Sequence, residues 1–341
     1  MSPLAAAVEA LSAEIAAGSR AVTGQAVRAH PEVLTERARL LGLAEPGRRS
    51  ANGSCRMVRA ADSWLAVNLP RESDLDAVPA WLGAEVDDDP WETIEDAART
   101  QSAERLVEDA QRLGMPVARV GEIKAATARA PLLRMGAGGA RGKQRLRVVD
   151  LSSLWAGPLC GGLLSEAGAD VVKIESTQRP DTLAASSPDF FARLNGGKTC
   201  LALDFSEPAD LARLADDVAG ADVLITGARP RAFVQLGLAS ERVFAANPGL
   251  VWVAITGYGW TGPLSARVAF GDDAAAAGGL VAWDRDEPGF LGDALADPFT
   301  GLAAAAAAFR ALEQGGGLLA DVAMARTAAG VAAGLTEAVV A

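Results

Sequence analysis

Apolar and polar positions alternate with two different rhythms along the chain. Residues 3–17 and 31–43 carry apolar side chains at helical spacing. Between 56 and 69, two short apolar runs flank an Ala-Asp-Ser turn, which predicts a pair of strands. Helical spacing returns at 73–83, 90–98 and 102–113. In the run Asp87-Asp88-Asp89-Pro90 the pattern predicts a helix start, with Asp89 as the cap and Pro90 at the first helical position.

Beyond residue 145 the rhythm becomes regular. Strand-like runs at 145–151, 170–175, 199–205, 222–227 and 250–256 alternate with helical segments at 157–169, 207–220 (capped by Ser206), 230–237 and 239–247. An Ala-rich helix follows over 301–313. The strands are rich in Val, Ile and Leu without clean alternation, as expected of strands covered on both faces. Strand–helix–strand spacing of this kind predicts an α/β fold with a doubly wound, mostly parallel sheet, Rossmann-like in type. The run 135–144 (MGAGGARGKQ) has neither period and reads as a Gly-rich linker. The expected organisation is a small α+β domain with a helical N-terminus over 1–134, the linker, and a large α/β domain over 145–341.

Composition narrows the chemistry. The 341 residues are 50% apolar and 22% charged, with 32 Lys+Arg against 43 Asp+Glu and a formal charge of −11. That charge disfavours a polyphosphate surface, so nucleic acid is not an expected partner. No apolar run approaches the ~20 residues needed to span a bilayer. Glu9 and Glu14 interrupt the N-terminal apolar stretch, unlike a secretion signal. A cytoplasmic protein without a membrane partner is expected. Cys55, Cys160 and Cys200 lie far apart without metal-type spacing, which fits a reducing compartment and predicts no metal. The one histidine, His30, sits in a polar stretch and is expected at the surface. Histidine-based triads and multi-histidine metal sites are thereby nearly excluded.

Ligands of open α/β sheets bind beyond the carboxyl ends of the strands. The residues there are Ser152 to Pro158, Ser176 to Arg179, Thr226 to Arg231, and Gly257 to Pro263. Neither a GxGxxG fingerprint nor a Walker loop is among them. Arg179, Arg229 and Arg231, with Lys198 entering a strand, can be a site for a phosphorylated small molecule or simply solvated loop charges. Asp297, followed by Pro298, can be an ordinary helix cap.

The run Val148-Val149-Asp150-Leu151-Ser152-Ser153-Leu154-Trp155-Ala156-Gly157-Pro158, followed by Gly168-Ala169-Asp170-Val171-Val172-Lys173-Ile174-Glu175, resembles the opening of family III CoA-transferases. This superfamily includes formyl-CoA and carnitine CoA-transferases and the related α-methylacyl-CoA racemases. Lys198 with Leu201-Ala202-Leu203-Asp204, the Gly257–Pro263 loop, and Ala296-Asp297-Pro298-Phe299-Thr300-Gly301 resemble later family motifs, in family order. The resemblance implies transfer of CoA from an acyl-CoA to an acceptor carboxylate, with Asp297 as the nucleophile. It also implies coenzyme A as substrate and product, an acyl-CoA and a carboxylic acid as partners, and a homodimer. Trp155, Ala156, Lys173, Arg179, Lys198, Arg229 and Arg267 are the CoA-site candidates.

The family's racemases carry a histidine seven residues after the proline of the GxGxxGP loop. Here that position is Phe270, followed by Asp272 and Asp273, which can form an unusual carboxylate pair or face solvent. An acyl-CoA racemase or isomerase and a non-catalytic CoA-binding subunit are the alternatives. Residues 50–125, including Gly53-Ser54-Cys55-Arg56, resemble the family's smaller domain, which normally comes later, so the resemblance implies a permuted domain order. Ser176, Thr226-Gly227-Ala228 and Glu313-Gln314-Gly315-Gly316-Gly317 depart from the family pattern.

Overall fold

The computed structural model describes residues 2–87, 89–139 and 145–340. Its strands run in chain order as β1 (Cys55–Arg59), β2 (Trp64–Asn68), β3 (Val117–Arg119), β4 (Leu132–Arg134), β5 (Arg147–Leu151) and β6 (Asp170–Ser176). They continue with β7 (Thr199–Leu203), β8 (Val223–Thr226), β9 (Val251–Thr256), β10 (Val281–Asp284), β11 (Glu287–Phe290) and β12 (Leu318–Ala323). The chain forms two compact units, each assembled from separated segments. One takes the N-terminal segment through Val33, Arg129–Ser265 and Pro298–Ala323. The other takes Leu34–Ala128, Ala266–Asp297 and the chain from Met324 onward.

The first unit is built on a seven-stranded sheet of order β4-β12-β9-β8-β5-β6-β7. All neighbours are parallel except β4, which pairs antiparallel with β12 at one edge. β8, β9 and β12 are buried at every residue, and their side chains are apolar on both faces apart from Thr226, Thr256 and Asp321. The edge strand β7 is largely exposed. Trp252 of β9 is wholly buried, packs edge-on against Phe233 with ring centroids 5.7 Å apart, and lies 5.1 Å from Trp260. Its indole N–H donates to the Thr226 hydroxyl at 2.9 Å, satisfying the one polar atom that this large side chain brings inside.

The expected helices of this unit are present as Ala156–Glu166, Pro208–Ala219, Pro230–Gln235 and Ser240–Ala246. Ser206 does not cap the second of them; Glu207 holds that position without a side-chain bond. The Ser206 hydroxyl and N–H both donate to Asp204 Oδ1, at 2.6 and 2.9 Å, in an Asx turn that ends the preceding strand early. The Ala-rich helix starts sooner than its apolar spacing suggests and spans Ala296–Glu313. Residues 140–144 of the Gly-rich run lie outside the described residues. Its first part is hydrogen-bonded: Met135 and Gly136 N–H both donate to the Gly317 carbonyl at 3.0 Å, and Gly139 N–H donates to Gly315 at 2.9 Å.

The second unit contains the antiparallel sheet β1-β2-β3. β1 and β2 pair from Cys55↔Asn68 to Arg59↔Trp64 around the anticipated turn. Helices Glu72–Leu82, Pro90–Thr100 and Ala103–Arg112 enclose one core with the sheet, including Val58, Leu65, Val67, Ile94 and Leu106. Asp89 accepts from Trp91 N–H at 3.1 Å and Pro90 opens the helix, as expected. Asp88 lies outside the described residues. A second cluster joins Cys55, Met57, Trp64 and Ala66 to Ala276 of helix Gly271–Ala277 and to the β10–β11 hairpin. The helix expected over 31–43 is instead a 3-10 turn, Pro31–Leu34, and a short helix, Glu36–Leu41. No helix among the described residues is long and apolar enough to cross a membrane.

Candidate functional site

In the seven-stranded sheet, β6 and β7 extend from β5 to one side while β8 and β9 extend to the other. Connections leaving β5 and β8 therefore diverge and leave a crevice at their carboxyl ends. The loop after β5, from Ser152 to Trp155, is fixed there by two buried ion pairs. Lys198 Nζ lies 2.9 Å from Asp150 Oδ2, with both side chains wholly buried, and also donates to Pro158 O and Asn195 Oδ1 at 2.8 Å. Burial opposes the charge on Asp150, but Lys198, Lys173 and the Ser152 hydroxyl outweigh it and hold this carboxyl below its usual range. Asp150 Oδ1 in turn accepts from Ser152 N–H at 3.0 Å and from its hydroxyl. A side chain at Gly161 would bring a Cβ within 2.7 Å of Asp150 Oδ2, so glycine lets the helix lie against the pair.

Lys173, also wholly buried, donates to the Ser152 carbonyl at 2.7 Å and to Asp181 Oδ2 at 3.3 Å. Asp181 Oδ2 accepts from Leu154 N–H at 3.0 Å. Leu154 is held at φ 66°, a left-handed conformation that a branched side chain rarely adopts. The buried charges clamp this loop, with Leu154 exposed and Trp155 buried edge-on against Phe190 at 5.1 Å.

These contacts divide the seven residues expected to hold CoA. Trp155 and Ala156 are buried where the crevice loop enters helix Ala156–Glu166. Lys173 and Lys198 use their ammonium groups inside the fold. Arg179 and Arg231 are exposed, and Arg229 is half-buried at the start of helix Pro230–Gln235. Arg267 belongs to the other unit, buried, with Nη2 2.7 Å from Glu122 Oε1 and 3.1 Å from the Val117 carbonyl.

The second unit gathers four aspartates. Asp297 is the second residue of helix Ala296–Glu313, where the positive end of the helix dipole favours negative charge, and it is half-buried. Asp272 and Asp273, in the first turn of helix Gly271–Ala277, are buried and do not face solvent; Asp293 is buried too. Asp293 pairs with Arg37 at 2.8 Å. Asp272 Oδ1 accepts from Ala294 N–H at 3.0 Å, and the Ala294 carbonyl accepts from Asp297 N–H at 2.8 Å. Ala294 itself is left-handed, at φ 46°. As in the crevice loop, a buried carboxylate pins the N–H of a strained residue.

Burial, reinforced by Asp293 and Asp297, pushes Asp272 up to about 7. Burial pushes Asp273 up to about 8, against hydrogen bonds from Asn68 Nδ2 at 2.8 Å and Phe270 N–H at 2.9 Å. Both acids thus keep a proton through much of the range in which an ordinary carboxyl is ionised. Asp297 is the member of the group that reaches the surface. A Cβ at Gly271 would stand 2.2 Å from Asp297 Oδ2 and 2.5 Å from the Ala294 carbonyl, so glycine lets this carboxylate pack directly against the start of helix Gly271–Ala277. Two of the three cysteines are buried and poorly placed for such a role. Burial and the neighbouring Asp272 and Asp273 raise the Cys55 thiol well above its usual value, and burial raises Cys160. His30 is exposed, as expected. Arg37, Asn68 and Asp293 escaped sequence reasoning, because no motif links Arg37 to a carboxylate 256 positions away.

Residues 144–338 match the family model of CoA-transferase family III. The succinate–glutarate CoA-transferase of Agrobacterium fabrum is 30% identical over 199 residues, covering 52% of this chain and 50% of its own. The succinyl-CoA–D-citramalate CoA-transferase of Chloroflexus aurantiacus is 29% identical over 191 residues, covering 52% and 48%. A CaiB/BaiF family protein from Brucella suis, known as a crystal structure, is 31% identical with a TM-score of 0.52, covering 57% of this chain and 56% of that one. The chain spans about half the length of the curated relatives it matches. One family model takes in more than half of the sequence, from the strand entering the crevice to the final helix, and the chain therefore belongs to CoA-transferase family III.

Proposed function

We propose that the protein moves CoA from an acyl-CoA to an acceptor carboxylate, with Asp297 as the covalent nucleophile. The observation that carries this reading is the placement of Asp297, half-buried in the first turn of helix Ala296–Glu313 and packed on Gly271, beside two buried acids that hold protons. The Asp297 carboxylate attacks the thioester carbonyl, breaking the C–S bond to give a mixed anhydride and CoA thiolate. The thiolate then attacks the aspartyl carbonyl, releasing the donor acid and leaving an aspartyl-CoA thioester. The acceptor carboxylate repeats the sequence in reverse: it displaces the thiolate to form a second anhydride, whose acyl carbonyl the thiolate takes, regenerating Asp297. Covalent catalysis divides one acyl exchange into steps of similar energy and requires no proton transfer from histidine.

Asp272 acts here as a positioning residue, holding Ala294 and through it the backbone of Asp297. Trp155 and Ala156 at the crevice, with Arg179, Arg229 and Arg231, are the residues offered to CoA; the named activities of the relatives favour a dicarboxylate acceptor. A homodimer in a reducing cytoplasm fits this reading and its free thiols.

The test is incubation with a panel of acyl-CoAs, hydroxylamine trapping and peptide mass analysis. A hydroxamate at Asp297 in the natural protein, absent from Asp297→Ala, is expected. No adduct across the panel while CoA still binds would leave a non-catalytic CoA-binding protein.

A further inference from the structure

The second unit contains a cavity of about 450 Å³ unrelated to the aspartate group, opening at the outer edge of β1. Its lining is unusual for a chain of net charge −11: Arg48, Arg49, Arg56, Arg59 and Arg99, with Glu95 as the one acid among the lining residues. The fold brings these guanidinium groups together by backbone pairing. Arg49 and Arg56 face each other in an antiparallel bridge, and the Arg48 carbonyl accepts from Met57 N–H at 2.7 Å. Arg99 comes from helix Pro90–Thr100, which packs across β1.

Like charges this close repel unless something offsets them. Arg48 and Arg99 have exposed carboxylate partners, Glu287 at 3.9 Å and Asp96 at 2.5 Å, pairs worth little in water. Arg49, Arg56 and Arg59 have no salt-bridge partner among the described residues. Arg56 lies over the Trp91 ring, 4.3 Å from its centroid, and Arg59 over Trp64 at 5.5 Å. Stacking of this kind orients a guanidinium and leaves its N–H edge free for an anion. Arg56 Nε is buried without a hydrogen-bond partner among the described residues. Burial, then repulsion from Arg49, lowers the affinity of Arg56 for its proton, while Asp89 and Glu95 act in the opposite sense.

We infer that this cavity is an anion site, distinct from the aspartate group, for a small molecule carrying a diphosphate or similarly dense charge. A single carboxylate would offset one of the three guanidinium groups that have no salt-bridge partner; a diphosphate offsets most of their charge. Planar guanidinium forks match phosphoryl oxygens in pairs. The volume lies in the range of sites for small molecules rather than macromolecular grooves. None of the four aspartates lines the cavity.

Calorimetric titration of the full chain with inorganic pyrophosphate at low salt provides the test, with citrate and CoA as parallel ligands. Saturable 1:1 binding of pyrophosphate is expected, weakened at least about tenfold by Arg49→Gln and by Arg99→Gln, as loss of a charge-assisted pair implies. Both side chains are exposed, so these variants remain folded, which circular dichroism verifies. Arg213→Gln, on the other unit, leaves the affinity unchanged. Tighter binding of citrate than of pyrophosphate would overturn the diphosphate assignment. Non-saturable binding, or equal weakening by all three substitutions, would overturn the site itself.

Discussion

Asp273 offers a direct measurement of what burial does to the aspartate group. Its side chain is wholly buried; Oδ1 accepts from Asn68 and Phe270, and Oδ2 has no hydrogen-bond partner among the described residues. Asparagine preserves the accepting oxygen and the shape while removing the ionisation. The folded protein holds the Asp273 proton up to about pH 8, whereas an unfolded aspartate releases it near 3.8. Between those values the folded state binds the additional proton, so stability is fully present below the lower value and falls as pH rises towards the higher one. Each pH unit costs about 1.4 kcal/mol, or roughly 2–3 kcal/mol between pH 5 and 7. Asp273→Asn removes that slope, while Asp272 remains in both proteins and largely cancels. Urea unfolding at pH 5, 6, 7 and 8 should therefore show the variant gaining about 2 kcal/mol over the natural protein between pH 5 and 7. Parallel stability curves for the two proteins would refute the assignment of a buried, protonated carboxyl.

Lys198→Met leaves the Asp150 carboxylate buried without its main counter-charge and is expected to cost about 3–5 kcal/mol, read as a fall in the urea midpoint; an unchanged midpoint would mean that the pair is not structural. Gly271→Ala forces a methyl group into Asp297 Oδ2 and the Ala294 carbonyl. It should cost about 1–3 kcal/mol of stability and, by displacing the nucleophile, lower turnover about a hundredfold with CoA affinity retained; full turnover would show that this close approach is irrelevant.

The sequence made legible those elements whose surroundings impose a pattern. β8 and β9 are apolar because helices and strands cover both faces, and local composition alone reveals them. β12 is equally buried but carries no such local signal, because Asp321 interrupts its apolar run. That carboxylate accepts from Trp260 N–H at 2.8 Å, a partner 61 residues away that no local pattern contains. β4 is three residues long and is defined only by its pairing with β12. The site divides in the same way. The capping reading of Asp89 needs only its immediate neighbours, and it holds. Lys173 and Lys198 read as available cations because Asp181 and Asp150 become their partners only in the folded sheet. Asp297, by local physics, looks the same as any acid in a first helical turn; family motifs distinguish it, and the closeness of Gly271 and Ala294 explains how it is held.

The threading of the backbone between the two units has a consequence for biosynthesis. A nascent chain leaving the ribosome has β9 long before β12, the strand that lies between it and β4. Until residue 323 emerges, β9 stands as a provisional border with unsatisfied backbone groups, the kind of edge at which chains associate wrongly. The other unit waits longer still, since its final segment begins at Met324. Neither half can therefore be expressed by dividing the chain at the Gly-rich run: a fragment starting there would lack the Pro3–Thr23 helix and β4, and would carry residues 266–297 without the sheet that covers them.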